Sequence, residues 1–337
     1  MKKYTVYGLG NALVDLDFEV SVETLNRLKI EKGVMTLIDE DRHHFLLEEL
    51  NGVKHLKACG GSLANTIFAM QQMGSRTYYS FKVGNDAAGE FFYQNIISEG
   101  IQTNFNDSPR EGVTGKCIVL VTPDADRTMN TFLGATSNLS TDQISQDAIL
   151  NSEYVYIEGY VVAQPTGRIA AKKVREIAEA HQVKTAMSLS DPNMVTYFRE
   201  GLIDIIGDQL DILFCNEDEA KLFTQRNMLS DSVEELKKYA KTFVVTLGAK
   251  GALAYDGHEC VRVSPYKTTV LDTVGAGDIF AGVFLHALTQ GHDYVNAADF
   301  ANFAASKVVA KYGPRLNQDE MSEVKAVLAK RGHAYSQ

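Results

Sequence analysis

Residues 271–283 read Leu-Asp-Thr-Val-Gly-Ala-Gly-Asp-Ile-Phe-Ala-Gly-Val. Gly275, Ala276 and Gly277 are small enough for a backbone turn to come close to a ligand. The apolar positions after Asp278 (Ile279, Phe280, Val283, Phe284, Leu285 and Leu288) have helical spacing, so this turn is expected to open a helix. Free N–H groups at a helix N-terminus, reinforced by the macrodipole, suit a phosphate or another anion. Asp278 lies at the same terminus, where it either caps the helix or acts as a base beside the anion. An anion cradle joined to a carboxylate is the equipment for phosphoryl transfer to a hydroxyl.

Further groups of the right chemistry follow predicted strands. Asn11 and Asp15 sit where the chain leaves the first one for the alternating segment Leu13–Val20, and Gly60-Gly61-Ser62 places a glycine turn before a helix with Asn65 on its first turn. Amides and carboxylates can each bind two neighbouring sugar hydroxyls, although turn and cap roles account for such residues equally simply. Thr246-Leu247-Gly248-Ala249-Lys250-Gly251 is a small-residue loop whose N–H groups could support nucleotide phosphates, or else an ordinary hairpin. Asn216 and Glu219 could steer Mg²⁺ through water, or simply cap a helix with an acidic first turn.

Two other readings fall away. Gly8-Leu9-Gly10 suggests a dinucleotide fingerprint, but Leu13 fills the place of the third glycine and a strand pattern follows instead of a helix. The Gly-Lys-Ser/Thr loop of the large NTPase class is absent, so phosphate would have to rest on Gly275–Gly277.

The elements that must carry these groups alternate strand and helix. Predicted strands are Thr5–Leu9, Arg76–Val83, Glu153–Ile157, Val183–Ser188, Ile212–Phe214 and Thr242–Leu247. Predicted helices are Ser62–Met73, Ala87–Ser98, Thr166–His181, Glu217–Thr224, Val233–Tyr239, Ala276–Gln290, Tyr294–Lys311 and Glu320–Lys330. Such alternation implies an α/β fold with a mostly parallel sheet covered on both faces, and ligands bind beyond the carboxyl ends of its strands. Leu13–Val20 instead alternates apolar and acidic residues. Val113–Val121 and Arg127–Leu133 resemble a hairpin turning at Pro123–Asp126. With Val34–Ile38 they could form a small sheet that closes over the strand ends and excludes water.

Composition sets the remaining bounds. The chain has 337 residues, 45% hydrophobic and 23% charged, as expected of a globular enzyme with a substantial core. A net charge of −10 argues against a nucleic-acid partner. No apolar stretch has the length of a membrane span or the form of a signal peptide, so a cytoplasmic location is expected. Cys59, Cys117, Cys215 and Cys260 are scattered, which favours reduced thiols over disulfides or a zinc site. His43 and His44 are read as part of a surface helix.

Together these segments resemble the ribokinase-type (PfkB) carbohydrate kinase family, and within it the adenosine-kinase branch. The resemblance rests on Gly10-Asn11 with Asp15, Gly60-Gly61-Ser62 with Asn65, and Gly84-Asn85-Asp86 with Gly89. It continues through Asn216 to Glu219, Thr246 to Gly251, and Asp272 to Asp278, in the family's order and over nearly the whole chain. It implies a ribokinase-like three-layer α/β/α fold: one catalytic domain over residues 1–337, with a small β-sheet lid from about 13–40 and 112–135. It further implies that Asp278 is the base, that Gly275, Ala276 and Gly277 form the anion hole, and that Asn11, Asp15, Gly61 and Asn65 hold the sugar. Thr246, Gly248 and Gly251 would line the ATP site, with Asn302 near the adenine and Arg127 facing the phosphates. Asp272 and Val274 match positions that bind a monovalent cation such as K⁺ in many members. The adenosine branch implies purine salvage, with adenosine converted to AMP. Inosine, guanosine, ribose, fructose and 2-keto-3-deoxygluconate stay open as acceptors, as does a non-catalytic nucleotide-binding regulator. A monomer and a homodimer paired through lid edges are both compatible with the chain.

Overall fold

The computed structural model describes residues 2–105, 110–124 and 126–332. Thirteen strands are defined among them: β1 (Tyr4–Leu9), β2 (Leu13–Glu19), β3 (Met35–Leu37), β4 (His55–Gly60), β5 (Thr77–Ser80), β6 (Thr114–Val121) and β7 (Arg127–Gly134). The series continues with β8 (Ser152–Glu158), β9 (Lys184–Ser188), β10 (Leu210–Asn216), β11 (Ala240–Thr246), β12 (Ala252–Tyr255) and β13 (Cys260–Val263).

Eight strands form the main sheet in the order β13-β12-β11-β10-β9-β8-β1-β5. The run from β5 to β11 is parallel, and β12 and β13 add antiparallel at one edge. Period-two alternation sends side chains to opposite faces of this sheet. Tyr154 and Tyr156 of β8, Ile212 and Phe214 of β10, and Val244 of β11 enter a core shared with the helices Ser62–Met73, Ala276–Thr289 and Tyr294–Val308. Val155 and Ile157, Leu213 and Cys215, and Phe243 and Val245 enter a second core beneath the helices Pro165–Ala180 and Pro192–Ile206. Two cores on one sheet make the three-layer ribokinase-like α/β/α sandwich expected from the sequence.

The lid is a separate five-stranded sheet, ordered β3-β7-β6-β2-β4. The alternation in β2 buries Val14, Leu16 and Phe18 on one face and leaves Asp15 and Asp17 on the other. The lid is larger than the sequence suggested, because β4 pairs antiparallel with β2 and brings 55–60 into it. That strand is exposed over His55–Ala58 and carries no hydrophobic alternation. Ala125, within the predicted hairpin turn, lies outside the described residues.

Other boundaries shift for local reasons. The predicted strand Arg76–Val83 pairs only over Thr77–Ser80. The helix Pro192–Ile206 was not foreseen; non-helical backbone at Phe198 (φ −129°) interrupts its period. His43 and His44 do lie on a helix, Glu40–Glu49, but His43 is buried against Phe132 of the lid. All four cysteines are free, with only Cys260 exposed. Among the described residues no helix is long and apolar enough to cross a membrane.

Candidate active site

A cleft of about 420 Å³ opens where the carboxyl ends of the main-sheet strands meet the lid. Its floor includes Asn11 after β1, Glu158 ending β8, Ser188 ending β9, Asn216 ending β10 and Thr246 ending β11. Its roof is the lid, through Asp15, Met35, Leu37, Val119, Arg127 and Met129. Gly275, Gly277 and Asp278 form one wall.

That wall is the start of the helix Ala276–Thr289. Gly275 is its N-cap and adopts φ +77°, a left-handed conformation that glycine tolerates without strain. A Cβ there would stand 2.5 Å from Cβ of Pro314, so the packing also demands glycine. Ile279 donates to Gly275 O, whereas the N–H groups of Gly277 and Asp278 meet no acceptor among the described residues. Unpaired N–H groups at the positive end of a helix are what an anion requires.

Asp278 points back to the second glycine turn. The Ser62 hydroxyl donates to its Oδ1 at 2.6 Å, and Asn65 Nδ2 donates to its Oδ2 at 2.9 Å. Gly61 precedes Ser62 with φ +101°, and a Cβ on it would lie 2.5 Å from Asn11 O. This close approach lets the turn tuck under Asn11. Burial pushes the Asp278 carboxyl up to about 6, while Ser62, Asn65 and the charge of Arg315 favour its ionised form. At neutral pH it is therefore mostly an ionised acceptor close to its proton affinity midpoint, as suits a general base.

The lid side of the cleft carries Asp15. Burial, with Asp17 adding like charge, pushes it up to about 7, against the pull of Arg315 and Arg127. No hydrogen-bond donor meets this carboxylate among the described residues, so it faces the cavity ready for hydroxyls. Asn11 Oδ1 is already engaged, accepting from Thr136 Oγ1 at 3.1 Å and from Gln164 Nε2 at 3.3 Å. Glu158, which no sequence motif singles out, accepts from Leu63 N–H at 2.8 Å and Asn11 N–H at 3.4 Å. It thereby ties β1 to the glycine turn.

Asn216 and Glu219 take the plain form of the two readings: they are a reciprocal capping box on the helix Glu217–Thr224. Both line the cleft, but the Glu219 oxygens receive Asn216 N–H at 3.0 Å and Nδ2 at 2.6 Å. Burial pushes Glu219 up to about 7. The pair fits a hydrated cation approaching through water better than direct ligation. Among the described residues no group of three or more His, Cys, Asp or Glu could hold a metal.

Asp272 lies behind the cleft wall and its charge is already matched. Oδ1 accepts from Val274 N–H at 3.0 Å, and Oδ2 accepts from Gly313 N–H at 3.0 Å and Arg127 Nη1 at 3.1 Å. A guanidinium thus already neutralises the carboxylate to which the resemblance assigned a monovalent cation. In turn Arg127, expected to face phosphates, is spanned between Asp272 and Asp17.

The remaining residues lie apart from the cleft lining. Ala276, expected in the anion hole, opens the helix with its N–H already donated to Thr273 O at 3.2 Å, and Gly248 is exposed on the turn between β11 and β12. Gly251 closes that turn at φ +89°, opposite Val263 O. Asn302 donates to Val263 O at 3.4 Å and Ser264 O at 3.1 Å, so Gly251 and Asn302 converge on the end of β13. Sequence reasoning named Ser62 within the glycine turn without giving it a role, and passed over Glu158 and Arg315. Ser62 alone had a signal, as the residue following the glycine pair.

A carboxylate oriented by two donors beside free helix-terminal N–H groups, under a lid on this sandwich, defines a phosphotransferase acting on an alcohol group. The chain belongs to the pfkB family of carbohydrate kinases, whose description matches residues 34–321. Among solved structures it is similar to the adenosine kinase from Sinorhizobium meliloti, at 32% identity and TM-score 0.87, covering 96% of this chain and 99% of that one. It is also similar to a probable sugar kinase from Rhizobium etli, at 29% identity and TM-score 0.88, covering 97% and 100%. Among curated relatives, the ribokinase of Staphylococcus aureus is 28% identical over 278 residues, 80% of this chain and 87% of that one. The protein is a sugar or nucleoside kinase.

Proposed function

We propose that the protein transfers the γ-phosphoryl group of ATP to the primary hydroxyl of a nucleoside, with adenosine as acceptor and AMP as product. The observation that carries this reading is that Asp278 and Asp15 line one cleft, beside the free amides of Gly277 and Asp278. Asp278 takes the proton from the acceptor hydroxyl, and Asp15 holds hydroxyls of the sugar together with Asn11, Gly61 and Asn65. The N–H groups of Gly275–Gly277 stabilise charge on the moving phosphoryl group. Positioning and charge stabilisation dominate such reactions, since the protein contributes little covalent chemistry.

The lid supports a nucleoside over a free sugar. Met35, Leu37, Val119, Met129 and Leu133 give the cleft an apolar wall, which suits a base better than hydroxyls. The likeness to an adenosine kinase points the same way. A second reading, phosphorylation of a free sugar or sugar acid, is favoured by the likeness to a ribokinase and a probable sugar kinase.

Thr246, Gly248, Gly251 and Asn302 form the nucleotide end of the site in this reading. Mg²⁺, steered through water by Asn216 and Glu219, would neutralise the phosphates of ATP when bound. K⁺ at Asp272 and Val274 fits less well, because Arg127 already balances the Asp272 charge. The single-domain organisation, a monomer or homodimer, and a cytoplasmic location complete the reading. The test is an acceptor panel with ATP and Mg²⁺, comprising adenosine, inosine, guanosine, ribose, fructose and 2-keto-3-deoxygluconate. Product from adenosine far above the free sugars is the expected result, and the reverse order would select the second reading.

A further inference from the structure

Arg315 lies on the loop between the helices Tyr294–Val308 and Gln318–Gly332, outside the cleft lining. Its guanidinium carbon stands 3.7 Å from the centroid of the Phe68 ring. Nε donates to Asn65 Oδ1 at 2.8 Å, and Nη1 donates to Asn95 Oδ1 at 3.2 Å. Nη2 is shut from solvent and meets no acceptor among the described residues. Three contacts therefore fix the guanidinium: a ring face and two amide oxygens.

The consequence lies in the chemistry of Asn65. An amide has one accepting end and one donating end, whereas a guanidinium only donates. Beside Arg315, Asn65 must present Oδ1, which commits Nδ2 to the other side. On that side Nδ2 meets Asp278 Oδ2 at 2.9 Å. Were the amide reversed, its oxygen would face the carboxylate and repel the ionised form. We propose that Arg315 is a positioning residue: by fixing the orientation of Asn65, it keeps Asp278 aimed and ready to accept a proton. The proposal rests on the reading of Asp278 as the base.

The same cation supports both carboxylates of the cleft. Its charge favours ionisation of Asp278 and of Asp15. The other groups facing Asp278 are the Ser62 hydroxyl, the Glu158 carboxyl, and the Tyr156 and Tyr160 phenols. Among these charged and titratable neighbours Arg315 alone is a cation, so its removal leaves only groups that are neutral or carry like charge.

Arg315→Met keeps comparable length for stacking on Phe68 but cannot donate. With the acceptor that turns over in the panel, kcat is expected to fall by about tenfold to a hundredfold, as misaligned catalytic groups typically cause. The acid limb of the kcat–pH profile is expected to move to higher pH, and Arg315→Lys, which restores charge and a donor, to bring it back toward wild type. A fall in kcat with the acid limb unmoved would make Arg315 a structural clamp and overturn the proposal; so would a kcat that does not change. If Arg315→Met does not fold, Asn95→Ala removes the brace on Nη1 and must shift the acid limb in the same direction, an unmoved limb again being the overturning result. Asp278→Asn separates the two levels. Full turnover in that variant defeats the base reading itself, whereas a dead Asp278→Asn with an unmoved limb in Arg315→Met defeats only the role of Arg315.

Discussion

Arg127 of the lid and Asp272 of the body meet at 3.1 Å, and the same guanidinium reaches Asp17 of the lid at 3.1 Å. The side chains of Arg127 and Asp272 are 9% and 3% exposed, so this contact is more than a surface ion pair. It is a latch that holds the lid down on the loop preceding the anion-binding turn.

Asp272→Asn leaves Arg127 with one charged partner. Breaking a buried pair by removing one member costs about 3 kcal/mol. The urea midpoint should fall accordingly, and the lid strands should become more open to limited proteolysis. A variant as stable as wild type, with an equally protected lid, would show that the contact does not hold the lid.

The two glycines of the anion turn should respond differently to alanine. At Gly275 the left-handed backbone and the approach of Pro314 both oppose a side chain, so Gly275→Ala should lower the melting temperature and abolish turnover. At Gly277 a Cβ meets nothing within 4 Å, and alanine is favoured in a helix. Gly277→Ala should therefore keep its melting temperature while kcat falls by about 100-fold, because the methyl group displaces the incoming phosphoryl group. Normal kcat in Gly277→Ala would mean that no phosphate approaches there.

Buried carboxyls should make stability fall as pH rises. Burial pushes Glu158 up to about 8, and Asp15 and Glu219 up to about 7. Unfolded, such groups ionise near pH 4 (about 3.9 for Asp and 4.3 for Glu). Between these limits the folded chain holds more protons than the unfolded one, so each pH unit gained removes stability, about 1.4 kcal/mol for Glu158 alone. Urea titrations between about pH 5.5 and 8.5 should show this decline, and Glu158→Gln should flatten it. A stability that rises with pH, or a slope unchanged by Glu158→Gln, would contradict the assignment.

Much of the positioning framework was legible because local patterns and tertiary packing agree. The helices Ser62–Met73, Ala87–Ser98 and Glu217–Thr224 have the bounds their caps and apolar spacing predict. The alternation of β2 alone puts Asp15 on the face opposite Val14 and Leu16, where the structure has it. The helix opening at Gly275–Asp278 was equally plain. What escaped is non-local. β4 has no hydrophobic period because it is a lid edge exposed over four residues. Glu158 falls just past the predicted strand Glu153–Ile157 with nothing to mark it, and only the fold brings the Leu63 and Asn11 N–H groups onto it. Arg315 stands 250 positions from the amide it orients, and no spacing rule reaches so far.

The measurement that bears most directly on the account is turnover by Asp278→Asn with ATP and the preferred acceptor, beside its ATP affinity and urea midpoint. Loss of a general base costs about 10²- to 10⁴-fold in rate. A fall of that size, with ATP binding and the fold retained, is the expected result. Turnover near that of wild type would contradict the claim that this carboxylate takes the proton.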